Sequence, residues 1–115
     1  MTSGMRGLNK VMLIGNLGAD SVLRDLERNI RVAKFSITTS ESYRDDKGVL
    51  QTKTDWHTVL VWRALADLAE RYLRKGSQVY IEGKMCTRDD MDKAGTRRYV
   101  TEVVGQRITI LDKKE

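Results

Sequence analysis

Hydrophobic and polar residues alternate along several segments of this chain, which is typical of β-strands because successive side chains point to opposite faces. The first segment runs from Leu8 to Leu17 and leads into the turn signal NLGAD. The second, Ile30 to Ser40, is rich in β-branched residues and carries its apolar side chains on one face. The two segments predict a first and a second strand.

A third alternating segment, Asp55 to Trp62, contains both tryptophans of the chain. Because Trp56 and Trp62 are six positions apart, an extended strand places both rings on one face. The other face carries His57, Val59 and Val61. The pattern alone does not say which face forms the core. The compact valine face, and the exposed basic hairpin with its tip at DDKG that precedes the strand, favour outward-facing tryptophans.

A helix and two more strands complete the pattern. The segment ALADLAERYLRKG repeats Leu65, Leu68, Ala69 and Tyr72 at helical spacing and ends at a glycine, although its start lacks a capping residue. The runs Gln78 to Arg88 and Arg98 to Leu111 alternate again, and the hairpin tip DDMDKAGT separates them. The predicted order is three strands, one helix and two strands.

That order predicts an all-β fold with one helix. It suits the five-stranded Greek-key barrel called the OB-fold, whose helix lies between the third and fourth strands. An SH3-like barrel or an irregular α+β sheet is compatible with the same order. With 115 residues and no internal repeat or proline-rich linker, the chain is predicted to form one domain.

The composition argues against a membrane protein and against a secreted one. Hydrophobic residues make up 40% of the chain and no apolar run approaches the ~20 residues of a membrane span, so we expect no membrane association. The N-terminus lacks the apolar centre of a secretion signal, and Cys86 is the only cysteine. One cysteine cannot form an internal disulfide, which favours a reducing cytoplasm.

The charge points to a polyanionic partner. Lysine and arginine outnumber aspartate and glutamate 21 to 16, which gives a net charge of +5. The basic residues are scattered through the chain, which favours a groove built from many segments over a basic tail. Outward-facing tryptophans beside such cations would stack unpaired bases, at ~1–3 kcal/mol per base. A protein partner is the alternative for exposed rings.

Catalysis and metal binding have little support. The chain has one histidine and one cysteine and no paired metal-ligand spacing, so we expect neither an enzyme nor a metal site nor a cofactor. Asp89, Asp90 and Asp92 match part of a calcium loop but lack its closing glutamate. We interpret this cluster as a solvated hairpin tip.

Four stretches carry a family resemblance: LNKVMLIGNLGAD, FSITTSESYRD, TDWHTVLVWRALADLAERYLRKGSQVYIEGKM and RRYVTEVV. They resemble the bacterial single-stranded DNA-binding proteins from about Leu8 to Leu111. The resemblance implies an OB-fold domain over residues 8–111, a flexible segment over 1–7 and a short remnant over 112–115. It also implies sequence-independent binding and protection of single-stranded DNA in replication, recombination and repair, without catalysis, by cytoplasmic, nucleoid-associated homotetramers built as dimers of dimers.

The resemblance also assigns roles to residues of this chain. The stacking residues are Tyr43, Trp56 and Trp62. The phosphate contacts are Lys10, Arg44, Lys53, Arg63, Arg74, Lys75, Lys84 and Arg88. The subunit interface is assigned to Lys10, Met12, Ile14, Asn16 and His57.

At two places the sequence departs from the family pattern, and there the family's properties do not apply directly to this chain. Asp90 stands where members often carry an aromatic residue, which predicts local repulsion of phosphate and a smaller or rerouted site. The chain ends in ILDKKE without the acidic tip that recruits replication and repair proteins. The alternative is a related dimeric OB-fold primosomal accessory protein, which acts mainly through protein contacts and binds DNA weakly.

Overall fold

The computed structural model describes residues 6–112, so residues 1–5 of the predicted N-terminal segment and 113–115 of the predicted remnant lie outside it. Six strands and one helix make up the fold, with a short 3₁₀ turn at Glu27–Asn29. The elements are β1 Val11–Leu17, β2 Val22–Asp25, β3 Arg31–Arg44, β4 Leu50–Trp62, α1 Ala64–Tyr72, β5 Gln78–Met91 and β6 Arg97–Ile110.

The strands form one sheet that closes on itself. They lie in the order β1-β5-β6-β4-β3-β2, and all neighbours are antiparallel except β4 and β6. A further pairing of β1 with β3, where Leu17 lies opposite Ile37, closes the barrel. Gly15 allows this close approach, because a Cβ atom there would overlap the carbonyl oxygen of Thr38. The predicted all-β barrel with one helix is confirmed.

The sequence pattern did not predict the short strand β2. The four residues of β2 pair with β3 through Val22 opposite Lys34 and Arg24 opposite Val32. So short a segment carries too little alternation to be recognised, and only its pairing partner defines it. The helix consequently follows the fourth observed strand, which corresponds to the third strand predicted.

Several strand boundaries also differ from the predictions. The strands β3 and β4 are 14 and 13 residues long and form a hairpin that continues beyond the barrel, around a turn in which the amide of Gly48 donates to the carbonyl of Asp45. The first strand begins at Val11, not Leu8, since the side chain of Asn9 replaces backbone pairing and bonds both the amide and the carbonyl of Met85.

The core lies inside the barrel and under the helix. The residues that it buries almost completely are Leu17, Ala33, Phe35, Ile37, Val59, Val61, Ala66, Ala69, Leu73, Val79, Ile81 and Val103. The predicted helical stripe is confirmed except for Tyr72, which is exposed: Ala69 is buried, and Leu65 and Leu68 pack against the core. Ala66 of α1 and Leu73, which follows α1, are buried as well. Arg31 of β3 holds the helix through ion pairs with Asp67 and Glu70. In the described part of the chain, no helix has the length and apolar character of a membrane span.

Candidate nucleic-acid interface

The two tryptophans lie on the outer face of β4. Trp56 is 65% exposed and Trp62 is 40% exposed, whereas Val59 and Val61 are fully buried on the inner face. The prediction that the tryptophans of this strand face outward is therefore confirmed. At about 3.3 Å per residue the two rings are roughly 20 Å apart along the strand, so each would meet a different nucleotide.

Trp56 is seated on the backbone of the turn after β1. A Cβ atom at Gly18 would overlap the six-membered part of the indole, so only glycine leaves room for this ring. Thr38 lies opposite Trp56 on β3. One side of the ring is thus covered by the protein while most of the side chain remains open to solvent.

Trp62 lies beside a cavity of about 380 Å³. Three strands supply its floor in two rows, because Arg24, Val32 and Trp62 are cross-strand neighbours and so are Val22, Lys34 and Leu60. Leu26 lies at the end next to β2, and Arg88 and Glu102 form the opposite wall. A cavity of this volume, with an apolar floor and a few charged groups, has the character of a ligand site.

The wall opposite β2 is formed by an ion pair between Arg88 and Glu102. Glu102 is 3% exposed, and its carboxylate accepts hydrogen bonds from Nε of Arg88 at 2.9 Å and from a terminal nitrogen at 3.4 Å. The hydrogen bond to Glu102 raises the pKa of the Arg88 guanidinium, and the nearby carboxylate of Asp90 at 3.6 Å acts in the same direction. Arg88 therefore faces two carboxylates, although the family resemblance assigned it to a phosphate.

Tyr43 does not share the surface of the tryptophans. The pairing of β3 with β4 runs without a register shift from Val32 to Arg44, so residues alternate regularly between faces. Tyr43 consequently projects from the face of Ile37 and His57, and Trp56 from the other. Tyr43 is 53% exposed. The three predicted stacking residues are all accessible, but they occupy two sides of the hairpin.

The predicted phosphate contacts are distributed over several surfaces. Arg44 and Lys53 lie on the β3–β4 hairpin, where Arg44 donates to the carbonyl of Gly48 and Lys53 lies 4.0 Å from Asp55. Lys84 is exposed on the outside of β5. The proposed contact role of these residues remains a prediction.

Three more of these residues border the helix. Arg63 precedes it, while Arg74 and Lys75 follow it. Arg74 donates to the carbonyls of Glu70 and Leu73 and so caps the end of α1. The amide of Lys75 donates to Asp20, which places this end of the helix near the turn that seats Trp56.

Two cations beside Trp62 were missed as candidate contacts. Arg24 lies in β2, which the sequence pattern did not predict, and Lys34 is one of many basic residues scattered along the chain. Across residues 6–112, neither side chain takes part in an ion pair. The alternation of β3 does place Lys34 outward, but its position beside Leu60 follows only from strand pairing.

In the hairpin between β5 and β6, aspartate side chains lie close to arginine side chains of the same hairpin. Asp89 lies 3.9 Å from Arg97, and Asp92 lies 3.3 Å from Arg98. Asp92 also accepts hydrogen bonds from the amides of Ala94 and Thr96 and so shapes the turn. Within the described residues these carboxylates form no cluster able to hold a metal ion. The interpretation as a hairpin tip agrees with this geometry.

The residues assigned to a subunit interface lie mainly on the outside of β1. Met12 and Ile14 are 65% and 59% exposed. Lys10 bonds Glu82 at 3.0 Å, and hydrogen bonds from Tyr80 and then Lys10 lower the pKa of that carboxyl. The side chains of Asn16 and His57 make hydrogen bonds within the chain. Asn16 donates to the carbonyl of Gly76, and the ring of His57 bonds the hydroxyl of Thr39.

Known proteins match this chain over almost its whole length. The single-strand binding protein family matches residues 8–111. Single-stranded DNA-binding protein 1 of Chlorobaculum tepidum is 46% identical over 111 residues, which are 96% of this chain and 68% of that protein. A structure of Plasmodium falciparum SSB in complex with ssDNA is similar with a TM-score of 0.85 and 35% identity, covering 96% of this chain and 100% of the other. This chain belongs to the single-strand binding protein family.

Proposed function

We propose that this protein binds and protects single-stranded DNA, without regard to its sequence, during replication, recombination and repair. The observation that carries the proposal is the pair of exposed indoles, Trp56 and Trp62, on the outer face of one barrel strand. Every base has a flat π-face, so a ring that stacks on bases tolerates any sequence. The family membership of the chain supports the same conclusion.

Cations near the indoles would hold the backbone of the DNA. The net charge of +5 and the cations on the hairpin, the helix end and the cavity wall provide attraction for phosphates. No base-specific contact is needed for this mode of binding. The proposed site residues are Tyr43, Trp56 and Trp62 for stacking, with the phosphates held by basic side chains around them.

We also infer that the protein acts as a homotetramer. The outer face of β1 exposes Met12 and Ile14, and β1 pairs with β3 only at Asn16 and Leu17, which leaves most of one edge without a partner in the described chain. An unpaired edge strand with apolar neighbours is suited to pairing with a second copy. A bacterial cytoplasm, in association with the nucleoid, is the proposed location.

A dimeric accessory role is the competing function. It differs in two measurable properties, the mass of the assembly and the affinity for unpaired DNA. A stable dimer with poor affinity for oligo-dT would favour it. The exposed indoles favour direct DNA binding.

Titration with oligo-dT tests the proposal. Binding should quench the tryptophan fluorescence, because stacking places bases on both exposed indoles. The logarithm of affinity should fall against the logarithm of salt concentration by ~0.7 for each phosphate that is neutralised. A duplex of equal length is the control. Absence of quenching at low salt, or equal affinity for the duplex, would contradict the proposal.

A further inference from the structure

We propose that the cavity beside Trp62 holds the DNA strand in one lateral orientation. The phosphates lie along Arg24 and Lys34, and the base edges face the Arg88–Glu102 pair. The inference rests on the proposed function and specifies how one part of the site would operate. At this cavity it reassigns the phosphate contact from Arg88, one of the eight residues that the family resemblance assigned to phosphates, to Arg24 and Lys34, which are not among them.

The two walls of the cavity differ in charge. On the side of β2 and β3, Arg24 and Lys34 are both exposed, and the described chain provides neither with an ion-pair partner. On the opposite side, Arg88 is held by Glu102 and faces Asp90. One wall thus carries two uncompensated positive charges, and the other carries one positive charge beside two negative ones.

A phosphate is stabilised only at the first wall. Next to Arg24 and Lys34 it meets two cations that are free to turn toward it. Next to Arg88 it would meet the carboxylates of Glu102 and Asp90 at short range, and repulsion would offset the attraction to the guanidinium. The backbone of a strand in this cavity is therefore directed toward β2.

The second wall suits the edge of a base. The exposed carboxylate of Asp90 accepts hydrogen bonds, and the guanidinium of Arg88, held by Glu102, has N–H groups that its partners do not use. Donors and acceptors side by side match the mixed edge that every base presents, which agrees with binding that does not depend on sequence. Trp62 lies between the walls, where its exposed face would stack on the same base.

Two matched arginines in one cavity provide the test. In Arg24→Gln a free cation is lost. In the double variant Arg88→Gln/Glu102→Gln an ion pair becomes two amides that still bond each other, so no buried charge loses its partner. Affinity for oligo-dT is measured by fluorescence at a series of salt concentrations, and thermal unfolding verifies that each variant is folded. Lys34→Gln is the second variant for the first wall.

The salt dependence distinguishes the outcomes. We expect the slope of log affinity against log salt to fall by ~0.7 in Arg24→Gln and in Lys34→Gln, and to equal that of the unaltered protein in the double variant. An unchanged slope in both single variants, or a fall of ~0.7 in the double variant, would overturn the inference. If the unaltered protein itself fails to bind, the proposed function is what fails, and the inference falls with it.

Discussion

At the residue scale, the two tryptophans determine what the outer face of β4 can do. Large aromatic residues usually fill protein cores, and here both are accessible because smaller valines on the other face already fill the barrel. Gly18 shows how the surroundings adapt, since its missing side chain makes room for the ring of Trp56. An exposed indole with one side supported by backbone is a pre-oriented surface for stacking.

Alanine variants test that role. We expect Trp56→Ala and Trp62→Ala each to weaken binding of oligo-dT by ~1–3 kcal/mol, because each removes one stacking surface. Thermal unfolding should change little, since neither ring is part of the core. The control is Tyr72→Ala, which removes an exposed aromatic residue from the helix. Unfolding of the tryptophan variants, or equal losses of affinity in the control, would show that stacking is not their role.

At the scale of elements, the hairpins decide where the DNA can run. The β3–β4 hairpin presents Trp56 on one side and Tyr43 on the other, so a strand that uses both rings must pass around it. The β5–β6 hairpin pairs its aspartates with its own arginines. This second hairpin therefore offers little net charge to phosphates.

A single change on the β5–β6 hairpin tests this reading. Asp90 and Arg88 are two residues apart on β5 and share a face with one another, whereas Asp89 projects to the opposite face. We expect Asp90→Trp to bind oligo-dT as tightly as the unaltered protein or more tightly, because a carboxylate is removed and a ring is added. Asp89→Trp is the matched control and should bring no gain. A measured loss of affinity in Asp90→Trp, with the fold intact, would refute the prediction.

At the scale of the whole molecule, the outer face of β1 is the surface that we propose for assembly. Exposed Ile14 and Met12 lie beside an unpaired strand edge, and a second copy would cover both. The β1 surface is separate from the tryptophans of β4, so assembly and DNA binding would use different parts of the barrel. Several copies could then present their tryptophan faces to one DNA strand.

Light scattering after gel filtration tests the assembly. We expect Ile14→Glu to lower the mass toward that of a dimer or of the single 13.2 kDa chain, because a buried charge without a partner opposes association. Met91→Glu places the same charge at an equally exposed apolar residue on the β5–β6 hairpin and should leave the mass unchanged. Equal masses for all three proteins would exclude β1 from the interface.

Much of this architecture could be predicted because it depends on local patterns. Alternation identified five strands, and glycines marked both hairpin turns. Alternation also placed both tryptophans on one face of their strand, and the valines opposite them together with the preceding basic hairpin indicated that this face is the outer one. The helical stripe was predicted except for exposed Tyr72, since the exact side that α1 buries depends on the barrel beneath it and on the Arg31 ion pairs, which its own sequence does not contain.

The sequence by itself determined five of the six strands described, the hairpin turns and which residues of each predicted strand share a face, because steric alternation and turn conformation act over a few neighbouring residues. Only the tertiary structure decided which outward residues become neighbours. Strand pairing placed β2 on the far side of β3 from the tryptophan strand, which brought Arg24 and Lys34 into the cavity beside Trp62, and it buried Glu102 against Arg88. These contacts join residues far apart in the chain. The strand register that aligns them is set by the packing of the whole core.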